Sequence, residues 1–271
     1  MDDRIITVYC LCDDLLKAFH HREDAQCHMS DAEVLTTALV AALYFRGNFE
    51  SARGFLQEQA YIPRMLSKSR FLRRLQRIRP FLLTLFSVLG ETWKELNSES
   101  IYVLDTFPIS VCDNYRIPRA KVYHTEEYRG YQASKKRYFY GVKLHLLVTR
   151  DGQPVEFFLT PGSYSDTAGL QWFDFDLPPG STVYGDKAYN VYALEDILHD
   201  VDIDLLPMRK ENSKRPAPAW LCYLQAHYRK MIETTGSLIE RLLPKSIHAV
   251  TALGFELKIV LFVVACSFSQ L

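Results

Sequence analysis

The segment SIYVLDTFPI at residues 100–109 places a single carboxylate, Asp105, inside a run of apolar and β-branched residues. Such a run is typical of a strand that is buried on both faces. An ionised aspartate is unfavourable there unless it is paired, hydrogen-bonded or bound to a cation. Most isolated aspartates in such a position are explained as caps of a turn at the end of a strand. Here two further acids favour a shared site: Asp186, directly after the apolar run at 181–185, and Glu233, in a later helical pattern.

Charge and cysteine usage narrow the class of protein. The 271-residue chain has zero net charge, so a nucleic-acid partner has to be met by local basic patches. The six cysteines contain no C-x-x-C pair, which favours free thiols. Residues 1–20 carry charges throughout and do not form a secretory signal. The apolar segment 252–271 contains Glu256 and Lys258, so we expect a buried helix, no membrane span and a cytoplasmic protein.

The first part of the chain shows only helical patterns. Ser30 and Glu33 form a predicted capping box that opens a helix through Tyr44. Other helical patterns cover residues 3–20, about 52–59, 70–79 and, after Pro80, about 81–96. We therefore predict a helical N-terminal domain at 1–98 and a second domain at 99–271.

Strand patterns begin at Ile101. They lie at 101–109, 140–149, 154–160, 182–185 and 203–208, and helical patterns lie at 167–173, 191–199 and 219–243. The order of these elements is three strands, a helix, a strand, a helix, a strand and then helices. This order predicts an α/β, RNase H-like mixed sheet flanked by helices. In that fold the acids of the first and fourth strands lie side by side, and a later helix leans over them. A turn explains Asp113 and a helix N-cap explains Asp166, so neither is assigned to the site. We interpret His145 as a core residue.

Two segments are rich in cations. Between Arg64 and Pro80 there is no acid, and the helical pattern there carries several arginines: Arg70, Arg73, Arg74 and Arg77. Residues 115–143 interleave basic and aromatic side chains, the basic ones including Lys135, Lys136, Arg137 and Lys143. A solvated helix face is the alternative for the arginines. We expect phosphate contacts from both segments, with aromatic rings of the second available for unpaired bases.

The order of several short motifs resembles the DDE transposases of bacterial insertion sequences, most closely the 982 family of insertion sequences. The motifs are SDAE at 30–33, SRFLRRL at 69–75, VLD at 103–105, SKK at 134–136, YGVKLH at 140–145, YGDKAY at 184–189 and RKMIET at 229–234. The resemblance implies that Asp105, Asp186 and Glu233 are catalytic and hold two Mg²⁺ or Mn²⁺ ions. It also assigns DNA contacts to Lys187 and Arg229.

The implied activity is hydrolysis at the element ends, followed by attack of the freed 3′-OH on target DNA. The resemblance also implies a nucleoid-associated protein that is a homodimer in its active complex. We expect the N-terminal domain, with its arginine-rich segment, to serve in DNA binding and dimerisation. A nuclease of the same fold that does not join strands, and an inactive DNA-binding remnant, are the alternatives. The wider superfamily carries a tyrosine and a lysine around the helix glutamate, where this chain has Ala226 and Glu240. Arg241 or Lys245 are possible substitutes for that lysine, and Glu240 competes with Glu233 for the catalytic role.

Overall fold

The computed structural model describes residues 2–132, 135–242, 247 and 249–269, without the side chains at 231, 232, 235, 238, 240 and 242. The chain divides into two compact units: Met1–Val88 with Ile239–Leu271, and Leu89–Leu238. Like the predicted domains 1–98 and 99–271, these units separate N-terminal helices from a sheet. The observed division differs at the end of the chain, which belongs to the helical unit.

The helical unit is built around two largely buried helices. Its helices in chain order are α1 (Asp2–Ala18), α2 (Asp31–Tyr44), α3 (Phe49–Glu58), α4 (Lys68–Ile78), the start of α5 (Pro80–Leu96) and α9 (Ala252–Ser269). The capping box at α2 is confirmed: Glu33 N–H donates to Ser30 Oγ (3.1 Å) and Ser30 N–H donates to Glu33 Oε2 (2.6 Å). Apolar residues on all sides of α2 and α9 account for their burial at the centre of the unit.

Helix α9 is the one helix in the described residues that is long and apolar enough to cross a membrane. In the structure 61% of that segment is buried, and α9 packs against α2. Such burial is what a core helix of a folded domain shows, in agreement with the prediction from Glu256 and Lys258.

A polar cluster lies inside the helical unit at the start of α2. Arg74 on α4 donates from Nε to Asp31 Oδ1 (2.5 Å), from Nη2 to Glu23 Oε2 (3.0 Å) and from Nη1 to the carbonyl of Met29. His21 Nε2 lies 2.7 Å from Asp31 Oδ2. Asp31 is 1% exposed and Arg74 is 9% exposed. Arg74 therefore has a structural role in this unit: each of its three side-chain nitrogens has a partner here, which argues against the predicted contact with DNA.

The second unit contains a mixed sheet whose strands are β1 (Ile101–Cys112), β2 (Arg129–Gln132), β3 (Arg137–Thr149), β4 (Pro154–Pro161), β5 (Ser181–Gly185) and β6 (Ile203–Pro207). The order is β2-β3-β1-β5-β6, and β4 pairs with the same strand β3. Strand β1 is antiparallel to β3 and parallel to β5, which is parallel to β6. Helices α6 (Asp166–Leu170), α7 (Tyr192–Asp200) and α8 (Ala219–Leu242) complete the unit. This is the predicted mixed α/β sheet flanked by helices.

The strands nearest the basic segment differ from the prediction. Strand β1 continues through Pro108 to Cys112, and β3 begins at Arg137. Between these two strands, the basic segment contains a short strand, β2, that the sequence pattern did not indicate. Pro108 is tolerated because β5 pairs with β1 only as far as Leu104, which leaves one side of β1 without a partner strand there. Helix α6 is capped by Ser165, whose Oγ accepts from Ala168 N–H (3.1 Å), and not by Asp166.

Replacing Arg74 with alanine should strongly destabilise the protein, whereas replacing Arg73 should not. Loss of the Arg74 guanidinium leaves the buried Asp31 carboxylate without its main positive partner, which typically costs about 3–5 kcal/mol. Arg73 is exposed and donates only to the carbonyl of Ser69 (3.3 Å). Urea unfolding of both variants measures the difference, and equal free energies of unfolding would contradict the structural role of Arg74.

Candidate active site

Two aspartates lie together where the parallel pairing of β1 with β5 ends. The register pairs Leu104 with Gly185, so Asp105 and Asp186 each follow the last paired residue of neighbouring strands. The carboxyl ends of parallel strands meet at one edge of a sheet, and this juxtaposition is the usual place for ligands in such sheets. The sheet therefore brings together two carboxylates that are separated by 81 positions in the numbering.

Each aspartate is oriented by the backbone that follows it. Thr106 N–H donates to Asp105 Oδ1 (2.8 Å), and Lys187 N–H donates to Asp186 Oδ1 (2.6 Å). Burial raises the pKa of Asp105 from 3.8 to about 7, and the negative charges of Asp186 and Asp166 act in the same direction. The Thr106 N–H and Arg229 lower the pKa of Asp105 but do not offset this effect. The site is thus short of positive charge.

A buried polar network lies beneath Asp105 on the opposite face of β1. The hydroxyl of Thr106 lies 2.6 Å from Tyr189 Oη and 3.1 Å from His145 Nδ1, and His145 Nε2 lies 2.9 Å from Thr160 Oγ1. Burial lowers the pKa of His145 to about 4, so the imidazole is neutral at pH 7. His145 is therefore a hydrogen-bonded core residue, as predicted. The sequence pattern did not indicate a role for Thr106 or Tyr189. The signals it offered were that Thr106 directly follows Asp105 and that Tyr189 lies three residues after Asp186.

Helix α8 crosses β6 and β5 near the ends of these strands. Gln225 Nε2 donates to the carbonyls of Leu206 and Pro207 at the end of β6 (both 3.1 Å). One turn later, the ring of Tyr228 stacks on Tyr184 of β5, with centroids 4.8 Å apart and an interplanar angle of 19°. These contacts fix the first half of α8 above the sheet.

A glycine lets the same helix reach β1. A Cβ atom at Gly236 would collide with the ring of Phe107, so only glycine permits this close approach. Phe107 and Asp105 are two residues apart on a strand and project to the same face of the sheet. Gly236 and Glu233 are three apart on a helix and share one helical face. The approach of α8 to Phe107 therefore brings Glu233 to the side of the sheet that carries Asp105.

Arg229 connects the helix to the aspartates. Its Nη1 atom lies 3.6 Å from Asp186 Oδ1, and its Nε donates to Glu233 Oε1 (3.1 Å). Glu240, the competing acid, lies two helical turns beyond Glu233, about 10 Å further along the axis. Its side chain, like residue Lys245, lies outside the described part of the chain.

The three acids are close but not tightly clustered. Among the described residues, one group of three ligand-type side chains has its ligand atoms within 4.8 Å of one another, and that group is His21, Glu23 and Asp31. There, Arg74 already supplies the positive charge. Asp105, Asp186 and Glu233 are therefore spread more widely, with the Arg229 guanidinium between the last two. Three carboxylates with a deficit of positive charge fit hard divalent cations such as Mg²⁺.

Comparison with known proteins identifies the family. A model of the transposase DDE domain matches residues 96–247, which is more than half of the chain and includes all three acids. The chain belongs to the DDE transposase domain family. Among solved structures, it is similar to a piggyBac transposase synaptic complex with hairpin DNA, at 9% identity and a TM-score of 0.44, over 100% of this chain and 73% of that one. The comparison with curated proteins gives no match.

The cations predicted to bind DNA in this transposase occupy three kinds of position. Lys143 is paired with Asp166 (2.9 Å) beside the site, and Arg229 with Asp186 and Glu233. Arg70, Arg73 and Arg77 are exposed and line an open cavity of about 470 Å³ with His28. The others are exposed on the sheet unit: Lys135, Lys136, Arg137 and Lys187.

Replacing Gly236 with alanine should weaken catalysis more than a glycine-to-alanine change elsewhere. The added Cβ has to push α8 away from Phe107, and overpacking of this kind typically costs about 1–3 kcal/mol. A displaced Glu233 should lower the cleavage rate by about tenfold or more. Gly54 in α3 is the matched control, since no atom lies within 4 Å of a Cβ there and alanine should stabilise that helix slightly. Equal cleavage rates for the two variants would contradict the role of this contact.

Replacing Asp105 with asparagine should stabilise the metal-free protein at pH 8 by clearly more than at pH 5. Because the pKa of Asp105 is raised from 3.8 to about 7, the folded state keeps a proton that the unfolded chain releases, and stability falls as the pH rises between these values. A pKa difference of about three corresponds to at most about 4 kcal/mol. Urea unfolding in EDTA at both pH values measures this, with the exposed Asp113→Asn as control. A gain of the same size at pH 5 would contradict the explanation.

Proposed function

We propose that the chain is the transposase of a bacterial insertion sequence, related to the 982 family of insertion sequences. It cleaves the element ends by metal-dependent hydrolysis and joins the freed 3′-OH to target DNA. The observation that carries this proposal is the path of α8, which brings Glu233 and Arg229 to the sheet edge where Asp105 and Asp186 meet. Family membership supports the same assignment.

Asp105, Asp186 and Glu233 would hold two Mg²⁺ or Mn²⁺ ions. When bound, such a pair supplies electrostatic stabilisation of the attacking and leaving oxygens of the phosphate. We assign Asp105 the shared position, with Asp186 and Glu233 each completing one site. Strand β1 pairs with β5, which leads to Asp186, and its Phe107 contacts α8, which carries Glu233. The backbone N–H groups of Thr106 and Lys187 hold one oxygen of each aspartate in place. Arg229 compensates the carboxylates and is available to a phosphate.

The DNA would be held at two places. In the helical unit, Arg70, Arg73 and Arg77 offer an exposed row of guanidinium groups to the phosphate backbone. In the sheet unit, Lys135, Lys136, Arg137 and Lys187 would contact the DNA that is cleaved. We also propose that the active complex is a homodimer and that it works on the nucleoid in the cytoplasm.

Conservative substitution of each acid tests the site. Asp105→Asn, Asp186→Asn and Glu233→Gln should each abolish Mg²⁺-dependent cleavage of DNA that carries the element ends, while leaving DNA binding intact, because each removes a metal ligand but keeps the shape. Glu240→Gln is the matched control on the same helix and should cleave normally. Single-turnover cleavage with Mg²⁺, Ca²⁺ or EDTA provides the measurement.

The outcomes separate the competing functions. Cleavage that persists in EDTA would overturn the metal-dependent mechanism, and an inactive Glu240→Gln beside an active Glu233→Gln would overturn the helix assignment. Cleavage without joining of the 3′-OH to a target duplex would indicate the nuclease. DNA binding without cleavage by the unmodified protein would indicate the inactive remnant.

A further inference from the structure

Two tyrosines face each other on the exposed end of the hairpin formed by β2 and β3. Tyr131 and Tyr138 are directly opposite in the strand register, and their ring centroids are 5.0 Å apart. They are 50% and 62% exposed. On the same face, two residues further from the turn, Tyr140 is 3% exposed. The tyrosine ladder is therefore buried at its base and open to solvent at its tip, which the structure describes at residues 131, 132 and 135–138.

The base of this hairpin is held firmly. Gly162 N–H donates to the carbonyl of Gly141 (2.9 Å), and Ser163 N–H donates to the carbonyl of Glu127 (2.9 Å). A Cβ atom at Gly162 would lie 2.7 Å from the carbonyl oxygen of Tyr128 and 2.9 Å from that of Gly141, so the backbones cross closely because residue 162 is glycine. The tip is thus presented by a fixed support, which reduces the entropic cost when a partner binds.

The positive charge of the tip indicates which kind of partner it binds. Residues 131–138, YQASKKRY, contain no acid, and Lys135, Lys136 and Arg137 are exposed. Paired aromatic rings beside cations are the surface that single-stranded nucleic acid needs, since bases stack on the rings while the cations contact the phosphates. A fully paired duplex offers the phosphates but keeps its base faces covered.

The tip is joined to the active site by one strand. Asp105 pairs with Leu146 of β3, eight residues from Tyr138, and strands rise about 3.3 Å per residue, which gives a separation of roughly 26 Å along β3. We propose that Tyr131 and Tyr138 bind unpaired bases of the DNA substrate at this distance from the cleaved phosphate. This inference rests on the proposed function, because it names the form of DNA that the same site uses.

Binding measurements in EDTA test the proposal without requiring cleavage. The probes are a labelled oligothymidylate of about 20 nucleotides and a blunt duplex of about the same length. Tyr131→Ala with Tyr138→Ala should weaken oligothymidylate binding by at least about tenfold and leave duplex binding unchanged. The corresponding double Phe variant should bind like the unmodified protein, because the rings remain. Tyr223→Ala, which removes another tyrosine that is 72% exposed, should have no effect.

Salt dependence separates stacking from charge. The double Ala variant of the tyrosines should keep the slope of log K against log salt, whereas Lys135→Ala with Lys136→Ala should reduce the single-strand slope by about 0.7 for each phosphate that is no longer neutralised. Equal weakening on both probes, or unchanged oligothymidylate binding, would overturn the proposal. Unchanged DNA binding with impaired self-association would instead make the tip an interface between copies of the chain. A chain that binds oligothymidylate as expected but never cleaves would refute the proposed function and leave only the binding of single strands by the tip.

Discussion

The parallel pairing of β1 with β5 is the constraint on which the rest of the site depends. It ends at Leu104 and Gly185, so the next residue of each strand is an aspartate at the same edge of the sheet. A register shift of one residue would turn each side chain to the other face and separate the carboxylates. The antiparallel pairing with β3 supports this arrangement from the other side, because it places the buried His145 opposite Thr106 and fixes the backbone N–H that orients Asp105.

Burying the Asp105 carboxylate next to Asp186 has an electrostatic cost: burial is the main cause of its raised pKa, and the charge of Asp186 adds to it. The fold compensates this charge only in part, through Arg229 on α8 and Lys143 beside Asp166. The helical unit shows the opposite arrangement: Asp31 and Glu23 are also close together, but Arg74 pairs with both. One acidic group is thus neutralised by a buried guanidinium, and the other keeps a deficit of positive charge that suits divalent cations. This contrast distinguishes a structural cluster from a candidate catalytic one.

Close approach of backbones recurs in the sheet unit. Gly236 allows α8 to reach Phe107, and Gly162 allows the chain after β4 to cross the base of the β2–β3 hairpin. Glycine in the middle of a helix is unfavourable by about 1 kcal/mol relative to alanine. At Gly236 this cost is offset by a contact that positions Glu233. The position of Glu233 in the site and the support of the hairpin tip thus both depend on contacts that glycine makes possible.

Local pattern alone determined most of the elements. The apolar runs before Asp105 and Asp186, the capping box at Ser30 and the apolar helix α9 were readable from the sequence, because strand and helix periodicity are set by neighbouring residues. The sequence also contained the three acids and the motifs of the DDE transposase domain. Tertiary structure decided the rest. In the sequence, Arg74 cannot be distinguished from the neighbouring surface arginines. Its buried position depends on Asp31, 43 positions away in the chain, to which it donates a hydrogen bond. Strand β2 has too little pattern of its own and forms because β3 provides an edge. In the sequence, Gly236 is only an unfavourable residue for a helix, and its contact with Phe107 is not predictable. Contacts between distant segments leave no periodic signal in the sequence.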